Sequence, residues 1–71
     1  MANILRYTGI NRRGTSAVGA VDGHANTPAF LAQQLYDKGW RQATITRDGE
    51  EVGGIGRLYG SPREWWGECT T

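Results

Sequence analysis

A chain of 71 residues with one cysteine, one histidine and a formal net charge of +1 excludes several classes at once. Cys69 has no partner for an intramolecular disulfide, His24 alone cannot anchor a structural zinc, and the near-neutral charge supplies no overall field toward nucleic acid or a membrane surface. A domain this small buries only about 60% of the surface its unfolded chain exposes and needs a staple; with disulfide and zinc set aside, self-association is the one expected.

Residues Asn3 to Ile10 alternate Ile4, Arg6 and Thr8 against Leu5 and Tyr7, the period of a half-buried strand. Asn11-Arg12-Arg13-Gly14 reads as a polar turn. Thr15 to Val21 is the return strand, with Val18 on one face and Ala17, Gly19 and Val21 on the other, so the two form a hairpin. The small residues of this second strand predict a close neighbour, expected to be the helix.

Asp22 to Asn26 is a loop, and Thr27-Pro28 starts a helix: a hydroxyl N-cap, then proline at the first helical position. The helix runs to about Lys38. Gly39 follows as the left-handed residue, and Trp40 is placed to fold back on Leu35 as in a Schellman motif. Leu31 and Leu35 define the buried stripe, flanked by Phe30 and Tyr36.

Arg41 to Arg47 alternates again, with Ala43 and Ile45 inward. Asp48-Gly49 has the composition of a type I′ hairpin turn, which needs positive φ at both central residues. The return strand, Glu51 to Leu58, carries Val52 and Ile55 among Gly53, Gly54 and Gly56, a pattern that predicts a bulge or a close backbone approach. Tyr59-Gly60-Ser61-Pro62 is a second turn. Arg63 to Glu68 is a last strand holding Trp65 and Trp66, and residues 69 to 71 form a frayed tail.

The order β-β-α-β-β-β, in a single domain spanning residues 1 to 71, predicts an α+β fold: a mostly antiparallel sheet with one helix packed on one face. One helix cannot cover both faces of five strands, so the far face is either solvated or used. Isoleucine, leucine and valine are few, and the core is expected to lean on aromatic side chains, with some of them partly exposed.

No connected set of catalytic groups emerges, and no enzyme, cofactor or metal site is expected. Gly53-Gly54-Ile55-Gly56 follows a hairpin and precedes a strand, whereas a dinucleotide fingerprint needs its glycines between a strand and a helix. Cys69 with His24 lacks a third orienting group, and the thiol sits at the chain end. Asp37 and Asp48 are explained by an exposed helix face and a turn. Glu50, Glu51, Glu64 and Glu68 read as solvated charge rather than an acid–base pair.

The feature above background is the C-terminal cluster Arg57, Tyr59, Arg63, Trp65 and Trp66. Adjacent tryptophans on a strand point to opposite faces, so one can enter the helix-covered core and the other stands on the far face. Tryptophan, tyrosine and arginine are enriched at binding hot spots, which makes this the candidate partner surface. Two other readings stay open. Both indoles are core, one under the helix and one capping a sheet edge. Or the cluster is a nucleic-acid platform of stacking rings and phosphate-holding arginines, joined by Arg12 and Arg13; Glu64 and Glu68, interleaved with the basic residues, weigh against it. Seven of the eight basic residues are arginine, with Lys38 the exception, a bias that genome composition explains as well as binding does.

No run approaches the roughly 18 apolar residues of a membrane span, and neither a secretory h-region nor a myristoylation glycine follows Met1, so no membrane role is expected. The stretch from Tyr36-Asp37-Lys38-Gly39-Trp40-Arg41 through Ala43 to Ile55, with the late Trp65-Trp66, resembles small accessory proteins of actinobacteriophages (mycobacteriophage-like) that carry no assigned function. The likeness covers the C-terminal half and rests on the helix cap, the Asp-Gly hairpin with its Val-Gly-Gly-Ile continuation, and the tryptophan pair. It implies a phage or prophage protein in the bacterial host cytoplasm that contacts host or phage proteins, and it brings no known catalytic or binding residues to carry over. Self-association into a homo-oligomer, with protein–protein contact as the mode of action, is the expectation carried forward.

Overall fold

The computed structural model describes residues 3–56 and 64–69. Its elements are β1 (Ile4–Ile10), β2 (Ser16–Asp22), α1 (Pro28–Asp37), β3 (Gln42–Arg47), β4 (Glu50–Gly56) and β5 (Glu64–Gly67). The strands form one sheet in the order β2-β1-β3-β4-β5, antiparallel at every junction. The helix lies across β3, β4 and β5 on one face, which makes the fold α+β and mostly sheet.

Each connection follows from local chemistry. In the β1–β2 turn the Asn11 side-chain oxygen accepts the backbone N–H groups of Arg13 at 3.0 Å and Thr15 at 3.1 Å. Gly14 takes a φ of 82°, the left-handed position that closes such a loop. At the helix start the Thr27 hydroxyl accepts the Phe30 N–H at 3.1 Å, with Pro28 in the first turn. At its end Gly39 has φ 91°; its N–H reaches the Tyr36 carbonyl at 3.0 Å, while the Trp40 N–H reaches that of Leu35 at 3.1 Å. These two bonds are the Schellman pair expected from Gly39-Trp40. The β3–β4 turn is the type I′ hairpin of the sequence: Arg47 stands opposite Glu50, with φ 53° at Asp48 and 81° at Gly49.

The glycine-rich return strand is bulged. Thr46 pairs with Glu51 and Ile45 with Gly53, which leaves Val52 as the extra residue. Val52 and Ile55 lie three apart, a spacing that sends side chains to opposite faces of an unbroken strand. The bulge resets that alternation, and both reach the core at 3% and 2% exposure.

The core comprises Leu5, Leu31, Ala32, Leu35, Trp40, Ala43, Ile45, Val52 and Ile55, with Tyr7, Ala17, Val21 and Tyr36 packed at its margin. Among the described residues Trp40 is its one aromatic member, with Tyr7 and Tyr36 at the margin, while Phe30, Trp65 and Trp66 are exposed. The reason is the closeness of helix and sheet. A Cβ added at Gly67 would stand 2.7 Å from the backbone of Ala29, so the layers meet too tightly there for rings to enter. Backbone bonds fix the same junction. Glu68 donates its N–H to the Val52 carbonyl at 2.9 Å and accepts the Ala29 N–H at 2.9 Å.

A correction concerns β2. Its small residues do not make room for the helix. The phenol of Tyr7 lies against Gly19 and fills the space a Cβ would take there, and the Trp40 indole meets the same ring edge-on.

Candidate binding surface

Strand register decides where the two late tryptophans go. Trp65 stands opposite Ile55 and Trp66 opposite Gly54. Directly paired residues share a face, so Trp65 is on the helix side and Trp66 on the opposite side, which no described element covers (the bare face). Neither indole is core: Trp65 is 38% exposed and Trp66 48%. Trp65 stays at the rim because the start of the helix is seated on Gly67, two residues along the same strand. The Trp66 ring extends over Gly54, where an added Cβ would be 3.5 Å from its Nε1. Arg57, Tyr59 and Arg63, the other members of the sequence-predicted cluster, lie outside the described residues.

On the bare face Trp66 ends a cross-strand row that runs Val18, Thr8, Thr44, Gly54, Trp66 from one rim of the sheet to the other. Ile4, Ile10 and Thr46 share this face by strand alternation. Its charged residues among those described are Arg6, Asp22, Glu51 and Glu64, all exposed. Among the described residues the face is therefore β-branched and mildly acidic, with one large aromatic group at the β5 rim.

The positive charge collects elsewhere. The Arg41 N–H bonds the Ile10 carbonyl at 2.8 Å, which brings the start of β3 beside the β1–β2 turn. The Arg41 guanidinium then lies 3.7 Å from where a Gly14 Cβ would be, and the aliphatic stem of Arg12 runs along Gly39. A concavity of about 470 Å³ at this end is lined by Asn11, Arg12, Arg13, Asp37, Lys38 and Trp40. The strand ends Gly56 and Glu64 pair at this same end of the sheet. At the opposite end are Asp22, Asp48, Glu50, Glu51 and Glu68, with Arg47 paired to Glu68 at 3.9 Å. A net charge of +1 thus conceals a basic end and an acidic end separated along the strands. Sequence reasoning flagged Arg12 and Arg13 but missed this grouping, because only the β1–β3 pairing brings Lys38 and Arg41 to them.

Among the described residues no cluster of three His, Cys, Asp or Glu side chains forms that could hold a metal ion. No described helix is long and apolar enough to cross a membrane. His24 is exposed in the β2–α1 loop, where its backbone N–H bonds the Asp22 carboxylate at 2.8 Å, and Cys69 is exposed beyond β5. Comparison with protein families, curated proteins and solved structures finds no match to this chain.

Proposed function

We propose that this chain is a non-enzymatic phage or prophage protein that acts in the bacterial host cytoplasm through protein–protein contact. It works as a homo-oligomer, either modulating a host protein or assembling as a structural component. The observation that carries this reading is Trp66: an indole 48% exposed on the uncovered sheet face, backed by Gly54 and continuous with a row of threonines. A half-exposed tryptophan on a flat, β-branched surface is the type of anchor that gains most when a partner removes it from water. The phage context comes from the resemblance in the C-terminal half.

A nucleic-acid-binding role is the second reading, favoured by the basic end formed by Arg12, Arg13, Lys38 and Arg41. Phosphate binding requires cations beside the stacking ring. Here the face that holds Trp66 carries Glu51, Glu64 and Asp22 against Arg6, and the grouped cations Arg12, Arg13, Lys38 and Arg41 lie off it at one end of the sheet.

The test is affinity capture from bacterial lysate with wild type and Trp66→Ala, after near-ultraviolet circular dichroism shows both folded. One host or phage protein held by wild type and lost from the variant supports the reading. Capture that is indifferent to Trp66 removes it. Saturable quenching of tryptophan fluorescence by an oligonucleotide, weakened by added salt, transfers the assignment to the second reading.

A further inference from the structure

The rim formed by β2 has a property that the rim formed by β5 lacks. It is seven residues long, Ser16–Asp22, with an unbroken register against β1. Natural edge strands are usually short, bulged, or blocked by proline, lysine or an inward charge. β2 has none of these; β5, by contrast, is four residues long.

The direction of its hydrogen bonds follows from the two ends of the β1–β2 ladder. Asn11 donates to the Thr15 carbonyl at 3.1 Å, and Gly23 donates to the Asn3 carbonyl at 2.7 Å. Hydrogen-bonded pairs alternate along an antiparallel ladder, so Ala17, Gly19 and Val21 face β1. Ser16, Val18, Ala20 and Asp22 therefore direct their N–H and C=O groups outward from the sheet, and of these the Asp22 carbonyl already accepts the Asn26 side-chain amide at 2.9 Å.

We propose that a second copy of this chain docks along β2, antiparallel, about a two-fold axis through Gly19, joining two sheets edge to edge. The proposal deepens the self-association within the proposed function and does not depend on the Trp66 surface. Three observations favour a second copy over another occupant. First, this register pairs the outward N–H and C=O groups of Val18 with those of Ala20 in the second copy, and the reverse. Second, the side chains match: Val18 stands opposite Ala20 of the second copy and Ser16 opposite its Asp22, so no like charges meet. Third, antiparallel pairing sets the basic end of each copy, with Arg12 and Arg13, beside the Asp22 end of the other. Parallel pairing would set like ends together. Once joined, both outer rims are the short β5, so the assembly closes as a dimer.

The experiment is sedimentation velocity over a concentration series for wild type, Ala20→Pro and Val18→Lys, at low and high salt. Proline at position 20 removes an outward N–H that makes no bond to β1, a substitution edge strands tolerate. Wild type is expected to move from one to two copies as concentration rises, less readily in high salt. Both variants are expected to weaken that association by at least about tenfold, while near-ultraviolet circular dichroism stays unchanged. Amide exchange at Val18 and Ala20 should slow on association, whereas Gly19 is protected throughout.

A wild type that stays a single copy to millimolar concentration overturns the proposal. So does association of undiminished strength in Ala20→Pro. Should Ala20→Pro not fold, Val18→Lys decides, since it keeps every backbone bond and changes an exposed side chain. Trp66→Ala separates the two assignments. If it abolishes association while Ala20→Pro does not, the second copy sits on the tryptophan face and the β2 proposal is wrong. If it loses partner capture but keeps the dimer, both stand.

Discussion

The indole of Trp40 meets the phenol ring of Tyr7 edge-on, with 5.7 Å between centroids and 74° between planes. Trp40 is the residue that follows the Gly39 cap, and Tyr7 is central in β1, so this contact ties the end of the helix to strands the helix itself does not cover. Edge-to-face pairs contribute about 0.5–1.5 kcal/mol beyond their burial. A double-mutant cycle of Tyr7→Leu and Trp40→Leu, read by urea unfolding, should return a coupling of about that size. Additive losses would mean that the ring contact stabilises nothing beyond area.

Two glycines of the late strands should respond oppositely to a methyl group. At Gly67 an added Cβ meets the backbone of Pro28 and Ala29 at 2.7–2.8 Å, which no rotamer change relieves. Gly67→Ala is expected to cost about 1–3 kcal/mol by overpacking. At Gly56 the same methyl meets no described residue within 4 Å. Gly56→Ala should be neutral or stabilising by up to about 1 kcal/mol, because it restricts the unfolded chain. Thermal unfolding of the two variants side by side checks the sign of each.

The helix N-cap offers a test of local chemistry alone. Thr27→Ala removes the acceptor for the Phe30 N–H and should cost about 1 kcal/mol. Thr27→Ser keeps that oxygen and should recover most of the loss in denaturant midpoint. Equal losses would assign the effect to the methyl group instead of the hydroxyl.

The bulge predicts a sharp contrast between neighbours. Val52 is 3% exposed, so Val52→Ala should cost about 2 kcal/mol through lost burial and a residual cavity. Glu51 is exposed one residue earlier, and Glu51→Ala should stay within about 0.5 kcal/mol. Chemical unfolding of both gives the comparison. A small effect at Val52 would mean that the bulge does not turn it inward.

The turns and caps were legible because their chemistry is local: Thr27-Pro28, Gly39-Trp40 and Asp48-Gly49 each dictate a backbone conformation within a few residues. Strand order was not legible in the same way. That β1 pairs with β3 as well as β2 depends on where the helix returns the chain, and no residue of either strand encodes it. The close approach at β2 was read correctly but given the wrong cause, since Gly19 is as compatible with a tyrosine ring as with a helix. For the candidate surface, the opposite facing of Trp65 and Trp66 followed from alternation alone. What covers Trp65 could not follow, because the seat of the helix on Gly67 is a long-range contact. Gly53 and Gly54 announced an irregular strand; which residue is extra became visible only from the register against Ile45 and Thr46.

The backbone bonds at Glu68 have a mechanical meaning. Its amide holds β4 through Val52, and its carbonyl holds the first turn of the helix through Ala29. Cys69, the next residue, carries the only thiol in the sequence and is exposed. Tension applied through that sulfur enters the molecule beside Glu68, a residue tied to both strand and helix. Pulling Glu68 away from the sheet by that route also unfastens the start of the helix, so a load on the thiol is shared between two elements.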